Sequence, residues 1–503
     1  MATSSTYNMG ALTDVLPPLP LVQPPPPPAH RPAPRRRPSP LEQMPARVVA
    51  CVARWLEPDL RDDDRLFEGP SPDLVHLSSA SPDLRAMFNR ELWHSATYVA
   101  PPLAGPAPQA PARDLIALHD VVSTGLVKPV HNLSLVGIVS EVKVVEQAAH
   151  KVYDAEVQGN ALADVVGRLG GVDGSLEAVR LEEIVLFRDV MERILARMTL
   201  NDRLKSISIK NVTSFDLPDD KKDPYLFCPV ASLACLLVVD SDPLFILLAG
   251  QCPALTTLAV ASPATLSKTS LESIVYAMPN LKRFSMVAGS CGTTSRLLLQ
   301  SLLPAPTTVD IPRDLALQEL VIDLGNSSLD ILVQALALMP QLVKLVILNA
   351  GPVNPGNFAG LVHAAPSLTS LIVLAGDGSS GVSWTGSINT YAALLGRLDE
   401  LEYFACDFLV GPTRQSARQS VVQRPVRATT YAPPLRAVGK AAISLQSMFI
   451  INGKEGDGKW TGAAAKYSRI GPYRNTSVTV TDPESLSLSA LTVGRWERDA
   501  CRA

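Results

Sequence analysis

The sequence predicts an α/β solenoid, in which short parallel strands alternate with helices, behind a small all-α unit near the N-terminus. Two observations carry this. A segment of the form x-Pro-x-Leu-x-x-apolar recurs between residues 252 and 371, and three of its copies follow apolar residues at helical spacing. Upstream, a Pro/Ala-rich stretch over 101–112 separates these copies from a segment whose apolar residues fall on helix faces. With 503 residues and 47% hydrophobic composition, the chain is long enough for more than one structural unit and too apolar to be disordered throughout.

The four clear copies are Cys252-Pro-Ala-Leu-Thr-Thr-Leu258, Met278-Pro-Asn-Leu-Lys-Arg-Phe284, Met339-Pro-Gln-Leu-Val-Lys-Leu345 and Ala365-Pro-Ser-Leu-Thr-Ser-Leu371. Helix-spaced apolar runs precede three of them, at 271–277, 329–338 and 358–364. The unit is therefore helix, proline stop, short strand, loop, helix. Weaker strand copies start at Leu204, Leu233, Leu317 and Leu401, and Val130–Val136 opens the series. The expected strands from Leu204 to Leu401 are spaced 29, 22, 26, 36, 25, 26 and 33 residues apart. This pattern resembles an irregular leucine-rich-repeat solenoid over residues 129–410. Its expected Asn after the strand is mostly missing, although Asn349 follows Leu345–Leu348 closely.

Stacking has a simple cause. One strand and one helix cannot cover their own apolar face, whereas successive copies bury a continuous core between them. In L-x-x-L-x-L the leucines point inward, and the residues flanking the middle one point to the concave side. These are Thr257 and Ala259, Arg283 and Ser285, Glu319 and Val321, Lys344 and Val346, Ser370 and Ile372, Tyr403 and Ala405. We read Thr257, Arg283, Ser285, Glu319, Lys344, Ser370 and Tyr403 as the substrate-binding set. The strip is mixed and weakly charged. It suits a protein ligand better than a phosphate backbone, which calls for a run of Lys/Arg. Residues 150–200 depart from the period, with a helix expected over Leu181–Met198. Residues 411–503 hold 14 Lys/Arg against 6 Asp/Glu. They are expected to form a last repeat or cap, or a partly disordered basic tail.

Residues 1–39 are a Pro/Arg-rich leader, with five consecutive prolines at Pro24–Pro28. Such a segment has little apolar area to bury and is expected to be extended. Residues 40–99 then read as a helical unit, and 100–128 as a linker. Pro45 suits a helix start, and Val48, Val49, Val52, Trp55 and Leu56 share one face. Leu74, Leu77, Leu84 and Met87 make a second apolar helical set. These residues resemble the two halves of an F-box. Met44-Pro-Ala-Arg47 stands where the family has Leu-Pro-x-Glu, and Asp73-Leu-Val-His-Leu-Ser78 matches its Asp-Leu-x-x-Leu-Ser. Leu84 replaces the usual Trp, and an acidic insertion, Arg61-Asp-Asp-Asp-Arg65, lengthens the connection.

The resemblance implies a partner: the small ligase adaptor, and through it a cullin scaffold. Met44, Pro45, Val48, Val49, Val52, Trp55, Leu56, Leu74, Leu77 and Leu84 would hold the adaptor, and the repeats would hold a protein substrate. The function implied is substrate recognition in a ubiquitin ligase. The alternative is a leucine-rich-repeat scaffold with no ligase role.

Enzymatic chemistry finds no support. No HExxH, P-loop or G-x-S-x-G occurs, and the seven His are scattered. Gly376-Asp-Gly-Ser-Ser-Gly381 follows a strand like a dinucleotide fingerprint, yet no helix opens at its glycines, so no pyrophosphate site forms. No catalytic residue, metal or cofactor is expected. The seven Cys are odd in number and lack a CxxC pair, which fits a reducing compartment. The expected location is cytoplasmic and/or nuclear, with no membrane partner and no nucleic acid.

Overall fold

In a computed structural model the described residues are 43–45, 48, 49, 52, 72–92, 94–99, 130–137, 162–169, 175–198, 200, 202–215, 232–239, 241, 252–261, 280–287, 296–300, 315–325, 327–374, 384–407, 428–456, 459–470 and 475–481. The chain divides into 1–45 and 46–503. Only Gln43, Met44 and Pro45 of the first unit are described.

In the second unit Val48, Val49 and Val52 are helical, and two helices follow, α1 (Pro72–Ser79) and α2 (Pro82–Leu92), which pack on each other. Both have a proline as first residue, where a missing N–H costs nothing. Ser81 caps α2, its Oγ accepting from Leu84 N at 3.1 Å.

A long sheet follows. Twelve strands run parallel, in the order β1 (Ser95–Val99), β2 (Asn132–Val136), β3 (Ala178–Glu182), β5 (Ser206–Lys210), β7 (Cys235–Val239), β8 (Thr257–Ala261), β9 (Arg283–Met286), β10 (Glu319–Asp323), β11 (Lys344–Leu348), β12 (Ser370–Val373), β13 (Tyr403–Cys406) and β14 (Ser447–Gly456). Two antiparallel strands, β15 (Lys459–Ile470) and β16 (Asn475–Thr481), complete it. A separate parallel pair joins β4 (Val185–Phe187) to β6 (Thr213–Phe215). Helices between strands include α3 (Arg188–Met198), α4 (Leu329–Leu336), α5 (Pro355–Ala364), α6 (Ile388–Leu395) and α7 (Ala428–Ala441), and residues 162–169 and 296–300 are helical as well. Parallel strands joined by helices in register are a leucine-rich-repeat solenoid.

The leucine pattern explains the register. From β2 to β14, the residue two before each strand is apolar and packs into one core: Val130, Leu176, Leu204, Leu233, Leu255, Leu281, Leu317, Leu342, Leu368, Leu401 and Leu445. The second and fourth strand residues point the same way, as Leu320 and Ile322 do in β10 and Leu345 and Ile347 in β11. A backbone ladder fixes the strand starts. At each step one carbonyl accepts two successive N–H groups of the next repeat. Gln318 O, for example, takes Val343 N at 2.8 Å and Lys344 N at 3.0 Å. The ladder runs unbroken from His94 O to Ser447 N. Several strands then leave through a left-handed residue: Gly137 (φ 76°), Glu183 (φ 54°), Asn211 (φ 51°) and Asn349 (φ 47°).

Helix ends follow local chemistry. Ser328, Asn354 and Ser387 cap α4, α5 and α6, and Asn354 forms a reciprocal capping box with Asn357. Pro340 and Pro366 follow the ends of α4 and α5 within a few residues, and the strand begins beyond them. Helices α4 to α7 pack in sequence on one side of the sheet. At Gly386 (φ +99°) the turn into α6 passes Pro355 so closely that a Cβ would lie 2.9 Å from its Cγ.

Three sequence expectations need correction or extension. The helix expected over Leu181–Met198 begins only at Arg188, because Ala178–Glu182 is the strand needed between β2 and β5 and Val185–Phe187 pairs with β6. The sheet begins earlier than residue 129, with β1 leaving α2 at Ser95 and pairing with β2. It also continues past 410, where α7 and β14 add a repeat in parallel register with β13. The expected helix at 271–277 and the Gly376–Gly381 loop lie outside the described residues.

Candidate functional site

Helices cover one face of the sheet, and the candidate interaction site is the opposite face, where part of one row of side chains is exposed. Two rows of side chains cross it. The first row, in register from β8 to β14, is Thr257, Arg283, Glu319, Lys344, Ser370, Tyr403 and Ser447. The second is Ala259, Ser285, Val321, Val346, Ile372, Ala405 and Phe449. The rows differ in accessibility. Val321, Val346, Ile372, Ala405 and Phe449 are buried and form an apolar cluster of their own with Leu237, Leu348 and Leu374. The first row runs beside it on the same face.

Arg283, Glu319, Lys344, Ser370 and Tyr403 of the first row are partly exposed, while Thr257 of the first row and Ser285 of the second are each only 2% exposed. So five of the seven residues assigned to substrate binding line up on consecutive strands, and two lie among their neighbours. Glu319 sits between two cations, with Arg283 Nε at 3.2 Å from Oε1 and Lys344 Nζ at 3.6 Å from Oε2. The triad carries a net +1. Being partly solvated, each of its pairs stabilises by only about 0–1 kcal/mol. Tyr403 lies against Phe449, with ring centroids 5.4 Å apart. Burial pushes its hydroxyl up to about 12. At the rim, Asp323 accepts from Gly325 N at 2.9 Å and Asn349 Nδ2 at 3.0 Å. Burial raises its carboxyl above the ordinary range against those two bonds. Nothing in this row pairs a nucleophile with a base. The row offers fixed charge and a phenol, beside a buried apolar row.

Across β2 to β5 the same face is polar, with Ser134, Arg180 and Ser208 in register. Glu182 and Lys210 pair beside them. Arg180 carries no signal in the sequence, because residues 150–200 depart from the repeat period and the expected helix starts just after it, at Leu181.

The N-terminal helices position the other residue set. Val49, Leu74 and Leu84 are 4%, 1% and 4% exposed, with Phe88 fully buried. Val52 and Leu77 are half-buried. Val48 and Val75 are 42% and 39% exposed, so the unit keeps apolar groups at its surface. Met44 is half-buried and Pro45 exposed within the first unit, and Trp55 and Leu56 lie outside the described residues. Phe88 and Val75 were not singled out in the sequence. The helical spacing Leu84–Phe88 is the signal that places Phe88.

Among the described residues, no group of His, Cys, Asp and Glu is arranged to hold a metal ion, and no helix is long and apolar enough to cross a membrane.

No protein-family model and no curated protein sequence matches the chain. Among solved structures, the chain is similar to the crystal structure of the yeast Rad7 and Elc1 complex, at 12% identity and a TM-score of 0.41, over 80% of this chain and 86% of that one. It is also similar to the leucine-rich repeat-containing protein LegL7 from Legionella pneumophila, at 13% identity and a TM-score of 0.36, over 79% of this chain and 98% of that one. The fold assignment rests on the strand register and the inward leucines.

Proposed function

We propose that the chain is the substrate-recognition subunit of a cullin-RING ubiquitin ligase, acting in the cytoplasm or nucleus. The N-terminal helices dock on the ligase adaptor, and the sheet face opposite the repeat helices holds a protein substrate. The chain itself performs no bond chemistry. It contributes proximity, raising the concentration of substrate lysines near the charged conjugating enzyme. One observation carries the reading: an F-box-like pair of half-motifs whose second half folds as α1 and α2, with Val48 and Val75 left at the surface, lies directly before the first strand of a repeat sheet. A small helical unit with exposed apolar side chains gains stability by docking on a partner.

The test is a pulldown of purified adaptor with the full chain, in wild type and in Val48→Asp. Binding that the substitution abolishes supports the reading, and a wild-type chain that fails to bind sinks it. A second reading, a repeat scaffold without a ligase role, is favoured by a different observation. Val49, Leu74 and Leu84, which the resemblance assigns to the adaptor, are buried inside this chain. On that reading the helices only cap the solenoid. The chain would then bind its protein partners and no adaptor.

A further inference from the structure

We draw no further inference here: the strongest candidate, the apolar row of Val321, Val346, Ile372, Ala405 and Phe449 on the sheet face opposite the helices, is buried, and nothing in the structure shows what covers it.

Discussion

Leu371→Ala tests how the repeat core is built. Leu371 lies fully buried in β12, in register between Leu345 and Phe404, and all three belong to the core under the helices. The substitution removes three carbons, worth about 2.4 kcal/mol in transfer free energy at roughly 0.8 kcal/mol per CH2. Parallel neighbours on both sides hold the strand, so the cavity collapses little. The total should then reach about 3–5 kcal/mol. In a solenoid each repeat contacts only its neighbours, so the loss stays local. Hydrogen exchange is the assay. Amides of β11, β12 and β13 should exchange faster by roughly two to four powers of ten, at 1.4 kcal/mol per factor of ten, up to the ceiling set by the most stable opening. Amides of β2 and β3 should not change. Ser370→Ala, one residue away on the opposite face, is the control and should stay within about 0.5 kcal/mol of wild type. Equal damage from the two substitutions would refute the inward and outward assignment. Protection lost equally at β2 would refute nearest-neighbour stacking.

Three further outcomes follow from particular contacts. Gly386→Ala forces a Cβ to a left-handed φ and to within 2.9 Å of Pro355 Cγ; thermal unfolding should show a loss of about 1–2 kcal/mol, and an unchanged melting temperature would contradict the strained turn. Burial pushes the hydroxyls of Tyr391 and Tyr403 up from 10 to about 12, so the folded state favours the neutral phenols, and the stability they give is intact below pH 10 and lost as pH rises toward 12. Absorbance titration of Tyr391→Phe and Tyr403→Phe against wild type should remove high-pH steps; steps lost near pH 10 instead would count against burial. The Asp323 carboxyl is raised for the same reason, so its contribution is greatest below the usual carboxylate range and falls as pH rises through its folded value; Asp323→Asn should flatten that part of the stability profile, and an identical profile would exclude Asp323 as its source.

Much of the solenoid was legible because its leucines repeat a spacing. The strand starts at Ser206, Cys235, Thr257, Arg283, Glu319, Lys344, Ser370 and Tyr403 each fall two residues after the leucine that marked them in sequence. β3 was missed because Leu181, Ile184 and Val185 satisfy a helical period as well as a strand, and nothing local announces the left-handed turn at Glu183. β1 was missed because Ser95–Val99 carries no leucine motif; only pairing with β2 makes it a strand. Alternation identified which residues point away from the helices. It did not reveal that Thr257 and Ser285 are closed over while Arg283 and Glu319 stay accessible. That difference comes from side-chain length and from neighbours across strands, neither of which alternation encodes. The ion triad around Glu319 likewise exists only because β9, β10 and β11 are adjacent in register.

Binding of purified ligase adaptor to the intact chain, measured by calorimetry in wild type, Val48→Asp and Val75→Asp, bears most directly on the ligase role. A one-to-one complex with the wild type, weakened by either substitution while the exchange protection of β2 to β13 is kept, is the expected result. A folded wild-type chain that takes up no adaptor at any concentration contradicts it, and leaves the repeat sheet as a scaffold with no ligase attached.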